Sequence, residues 1–120
     1  MTTAAAINPF IIDRYTRAEA LADGVLFDVS TLAKEAGIKF PVAITAGIHS
    51  LCTPPKNSYQ SYEGRLWDVI HMFKGGIKTS SGSRFTFSVI LGKKRWVLLA
   101  VIGPGDNYEP VITIMLPNEE

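Results

Sequence analysis

A single cysteine, Cys52, stands in the 120 residues. One thiol closes no internal disulfide and builds no metal cage by itself, so the chain is expected in a reducing cytoplasm, without metal or cofactor. Net charge is nearly absent as well. Twelve Lys and Arg against eleven Asp and Glu leave +1, too little for a general attraction to nucleic acid or to an anionic membrane. Long apolar runs are missing too. Crossing a bilayer takes about 20 such residues, and the longest candidate is broken by Gly92-Lys93-Lys94-Arg95. The opening MTTAAAINPFIID has neither a basic leader nor an adequate hydrophobic segment, so the expectation is a protein neither secreted nor membrane-bound. A phosphate loop is absent: KTSSGS, from Lys78 to Ser83, lacks the required glycine spacing and Gly-Lys-Ser/Thr ending.

What is present is the material of a core. At 47% hydrophobic and 19% charged residues, the chain is globular in composition, and its length suits one domain over residues 1–120. Thr16-Arg17-Ala18-Glu19 matches a capping box, in which the Thr16 hydroxyl accepts from the Glu19 amide and the Glu19 carboxylate reaches back. Ala18, Leu21 and Ala22 give that helix a small apolar face, and Gly24 stands where a left-handed residue closes it. Val25, Phe27 and Val29 then alternate as in a strand. Ser30 or Thr31 caps a second short helix ending at Gly37.

From Pro41 onward, Ile44, Ile48, Leu51 and Cys52 follow helical spacing, which predicts a helix ending before Thr53-Pro54-Pro55; a strand over 42–46 competes with it. Ser58 or Ser61 caps a third helix running to about Lys74, with Leu66, Val69, Ile70, Phe73 and Ile77 on one stripe. Gly75-Gly76 ends it. Beyond it, RFTFSVIL alternates as a strand with one buried face, and WVLLAVI, apolar on both faces, reads as a middle strand. VITIML follows the turn GPGDNYEP as the third. The fold class is therefore α+β: a three-stranded antiparallel meander in the C-terminal half, packed by helices from the N-terminal half.

Few residues offer chemistry. Arg14, Tyr15 and Arg17 gather at a helix N-terminus whose amides favour an anion. Asp106 and Glu109 face outward from a turn that Gly and Pro make rigid, and one such loop rarely completes a cation site. Trp67 and His71, four apart, share a helix stripe. An enzyme would have to draw on His71, His49 and Thr113, with Lys78 and Arg84 on phosphate, and general acid–base work requires these to converge. Lys93, Lys94, Arg95 and Trp96 offer a basic turn that more often protects a sheet edge than clamps a phosphate.

The two ends of the chain carry a resemblance. Tyr15-Thr16-Arg17-Ala18-Glu19-Ala20-Leu21-Ala22-Asp23-Gly24-Val25-Leu26, Gly103-Pro104-Gly105-Asp106 and Pro110-Val111-Ile112-Thr113-Ile114-Met115-Leu116-Pro117 resemble the ends of a family of small uncharacterised proteins carried by bacterial plasmids and phages. Pro41-Val42-Ala43-Ile44-Thr45 and Gly64-Arg65-Leu66-Trp67-Asp68-Val69 resemble its middle motifs. The resemblance implies a cytoplasmic accessory protein of a mobile element and brings no catalytic residues with it. Two functions are weighed on this basis. The first is a protein that binds a host or defence-system protein, as its inhibitor, through Arg14, Tyr15, Arg17, Asp106 and Glu109. The second is a small metal-independent ribonuclease or nucleotide-acting enzyme. Direct nucleic-acid binding is less favoured than either.

Overall fold

A computed structural model describes residues 15–80 and 82–119. Helix α1 (Arg17–Ala22) opens on the full capping box of Thr16 and Glu19, and Gly24, at φ +75°, reverses the chain in the left-handed region. Strand β1 (Leu26–Asp28) turns its Phe27 to the core. Helix α2 (Ser30–Glu35) starts earlier than a Ser30 or Thr31 cap would place it: Ser30 is its first residue, and Val29 occupies the cap position without a side-chain bond. Ser30 instead ties β1 to the next strand, because its hydroxyl donates to Asp28 and accepts the Val42 amide at 3.0 Å.

That next strand corrects the helix expected from Pro41. Residues Val42–Thr45 form β2, and only then does α3 (Ala46–Cys52) begin, with the Thr45 side chain as its cap. Val42, Ala43 and Ile44 are all buried, the pattern of a strand covered on both faces. Ile44 shares helical spacing with Ile48 because it is the last buried strand residue before the helix starts. The expected end before Thr53-Pro54-Pro55 holds.

Helix α4 (Tyr62–Thr79), capped by Ser61, buries Leu66, Val69, Ile70 and Phe73, while Ile77 is exposed. It also runs straight through Gly75-Gly76, contrary to expectation. The reason is packing: a Cβ at Gly76 would lie 2.8 Å from Phe85 Cε2, so the glycine lets the helix lie against β3 (Arg84–Leu91). Strands β3, β4 (Lys94–Pro104) and β5 (Pro110–Met115) form the expected antiparallel meander.

The meander is part of something larger. β5 pairs in parallel with β2, Ala43 opposite Thr113, and β2 pairs antiparallel with β1. The result is a five-stranded mixed sheet in the order β1-β2-β5-β4-β3, an α+β arrangement. Helices α2, α3 and α4 cover one face, where Phe73, Ile48, Leu98 and Ile114 centre the core. Leu99, Ala43 and Val111 are buried from the opposite face, which carries Arg17. A short 3₁₀ turn, Pro117–Glu119, brings the Glu119 carboxylate to the Thr45 hydroxyl at 2.6 Å and the Gly47 amide at 3.2 Å. Among the described residues no helix is long and apolar enough to cross a membrane.

Candidate functional site

Helix α1 and the β4–β5 turn, far apart in sequence, meet. The Asp106 carboxylate, at the tip of the β4–β5 turn, accepts from the backbone amides of Arg17 at 2.8 Å and Ala18 at 3.0 Å. Thr16 Oγ1 takes the Glu19 amide at 3.0 Å, and the Glu19 carboxylate takes the Thr16 amide at 2.9 Å. The first-turn amides that attract an anion are thus satisfied by the chain's own side chains. The anion foreseen at this terminus is Asp106.

Arg17 continues inward over the sheet. Its Nη1 donates to Thr113 Oγ1 at 2.8 Å and its Nη2 to the Ile112 carbonyl at 2.9 Å. Burial lowers the guanidinium pKa below its ordinary value, and the nearby carboxylates of Asp28, Asp106 and Glu109 offset part of that. Two fixed bonds and three acidic neighbours make Arg17 a clip between α1 and β5. Tyr15 donates from its hydroxyl to Asp23 at 2.8 Å, a bond that raises the phenol pKa, while its ring stays largely exposed. Arg14 lies outside the described residues.

The turn itself has an unusual member. The Tyr108 amide donates to the Gly105 carbonyl at 3.0 Å and the Gly105 amide to the Glu109 carbonyl at 2.6 Å, the bonding of a tight hairpin turn followed by one left-handed residue. Glycine is the usual occupant of that position. Here it is Tyr108, at φ +64°, with its side chain 80% exposed. Glu109 bends back to accept the Asn107 amide at 2.9 Å. A groove of about 390 Å³ runs between this turn and α1, lined among others by Tyr15, Val25, Pro104 and Asp106.

The residues named for catalysis are placed apart. Thr113 is on the sheet face that carries Arg17. His49, on α3, stacks on Phe27 at 4.0 Å and shares a 2.8 Å hydrogen bond with the Tyr62 hydroxyl on the helix-covered side. Burial raises the Tyr62 pKa. His71, on α4, touches Trp67 edge-on at 4.5 Å and lines a separate groove beside β3. Lys78 is in the last turn of α4, and Arg84 opens β3. Among the described residues no group of three or more His, Cys, Asp and Glu is placed to hold a metal.

Sequence reasoning passed over Tyr108 and the His49–Phe27–Tyr62 cluster. The first had a signal, since a tight turn of the pattern Gly-Asp-Asn-X-Glu ordinarily has glycine at X. The second joins residues from three separate elements and had none. No curated protein and no solved structure matches the chain. Residues 5–120 match a family of unknown function, DUF6573, almost end to end, and the chain belongs to that family.

Proposed function

We propose that this protein is a cytoplasmic accessory of a plasmid or phage that acts by binding a host protein, as an inhibitor of a defence system. Its docking surface is the patch where α1 meets the β4–β5 turn. The observation that carries this reading is Tyr108. A non-glycine residue in the left-handed region costs about 1–2 kcal/mol, and an exposed ring recovers little of that inside the fold. Strain of this kind gathers at functional sites, and tyrosine is among the residues that dominate binding energy at interfaces. Tyr15 and Val25, both exposed, line the groove between α1 and this turn, and the Asp106–Arg17 clip holds the turn against α1. The mobile-element origin and the defence target rest on the family resemblance of the two chain ends.

The ribonuclease reading draws no support from the placement of His71, His49 and Thr113. The test is an affinity pull-down from a bacterial lysate carrying active defence systems, treated with nuclease. A stoichiometric protein partner lost with Tyr108→Gly supports the proposal. Recovery of nucleic acid alone, or a partner indifferent to Tyr108→Gly and Tyr15→Ala together, refutes it.

A further inference from the structure

A second surface lies at the opposite edge of the sheet. β3 is the last strand, and the Ile102 amide donating to the Ser83 carbonyl at 2.7 Å sets which of its residues bond inward. In an antiparallel ladder the bonded pairs alternate. With Phe85 opposite Ala100 and Phe87 opposite Leu98, the inward set is Phe85, Phe87 and Val89. Thr86, Ser88 and Ile90 therefore turn their amides and carbonyls outward, where no strand follows among the described residues. The strand carries no proline and no acid, and Ile90 is 64% exposed.

A groove of about 330 Å³ follows this edge. Its lining comes from both sides of the sheet: Asp68, His71 and Met72 from α4 above, Ser88, Ile90 and Arg95 from the opposite face. A cavity lined from both faces wraps around the free edge, which is the space a sixth strand would fill. Arg95 balances Asp68 within the lining, and the adjoining β3–β4 turn tips the edge as a whole to positive. Lys93 and Lys94 form the adjoining turn, Arg95 donates to Ser88 Oγ at 3.0 Å, Lys94 Nζ stands 4.3 Å over the Trp96 ring, and Asp68 is the one acid in the lining.

From this we infer that β3 is a docking edge for an extended, acidic segment of a partner protein, added as a sixth strand beside Thr86, Ser88 and Ile90. Backbone pairing supplies affinity, and alternate side chains meet Met72 on one face and Arg95 on the other. A second copy of this chain suits the edge less well. Its own β3, RFTFSVIL, brings no carboxylate to the lysines and arginine.

The test uses the full chain and two synthetic ten-residue peptides, one alternating glutamate with valine, its twin carrying lysine for glutamate. The acidic peptide is expected to bind at least tenfold more tightly by fluorescence anisotropy and to slow hydrogen exchange at the Thr86, Ser88 and Ile90 amides. Thr86→Pro, which removes an outward amide and spares the inward ladder, should weaken binding at least tenfold. Arg95→Glu should reverse the charge preference, and Tyr108→Gly should change neither. Equal binding of both peptides, or none at 1 mM (about −4 kcal/mol of affinity), overturns the inference. So do amides already protected in the free monomer, self-association abolished by Thr86→Pro, or binding of RNA alone.

Discussion

Asp106 and Arg17, 89 residues apart, hold the two ends of the fold together: the carboxylate of one accepts the backbone amide of the other at 2.8 Å. The guanidinium of Arg17 then passes over the sheet to Thr113 and Ile112. A single turn residue thus caps the first helix, and the first helical residue pins the last strand. The charges of both segments serve architecture as well as surface.

Removing the carboxylate should loosen the helix without unfolding the domain. Asp106→Ala is expected to cost about 1–2 kcal/mol, the usual loss of a helix cap, read as a lower urea midpoint at unchanged slope. Arg17→Lys should cost a similar amount, because an ammonium cannot reproduce the planar fork that meets Thr113 and the Ile112 carbonyl together. Full stability in both variants would show that the clip is ornamental.

Stability and binding should separate at Tyr108. Glycine relieves the left-handed strain but adds freedom to the unfolded chain, worth about 0.5–1 kcal/mol. The net expectation for Tyr108→Gly is therefore a stability unchanged or raised by up to about 1 kcal/mol, alongside loss of the partner. A variant destabilised by thermal or urea unfolding would mean that the ring has a structural role.

Two adjacent glycines in α4 give opposite expectations. A Cβ at Gly75 meets nothing within 4 Å, so Gly75→Ala should stabilise the protein by about 0.5–1 kcal/mol through helix propensity alone. At Gly76 a Cβ meets the Phe85 ring at 2.8 Å, and that ring is stacked on Phe73 at 5.7 Å. Overpacking of this kind costs about 1–3 kcal/mol, enough to cancel or exceed the propensity gain. Parallel urea titrations of the two variants decide it.

The same glycines show where the sequence stops being legible. Local signals marked the ends of α1, the cap of α4 and the meander correctly, because capping and alternation are properties of neighbouring residues. Gly75-Gly76 and Val42–Thr45 misled for the opposite reason. Gly76 lets the helix continue against a ring nine residues beyond it, and Val42–Thr45 becomes a strand by pairing in parallel with β5, whose residues come about seventy positions later. The candidate surfaces divide likewise. Tyr15, Arg17, Asp106 and Glu109 were visible as charged or aromatic turn residues, but that Asp106 would cap α1 needed the fold. The open edge of β3 needed the strand order.

The buried thiol provides a pH-dependent test of the core. Cys52, the last residue of α3, is fully buried, and burial pushes its pKa up from 9.0 to about 11, with Arg65 pulling the other way. Between those values the unfolded chain has released the thiol proton while the folded chain still holds it. The folded state then binds more protons, so unfolding free energy falls as pH rises through this window, by at most about 1.4 kcal/mol per pH unit. Below the unfolded pKa the group contributes no pH dependence. Cys52→Ala should flatten this part of the stability profile, at the expense of a small cavity. Alkylation by iodoacetamide at pH 8 should be slow in the native protein and fast in urea, since the thiolate is the reactive form. Rapid native labelling would mean that the helix opens often enough to expose the thiol.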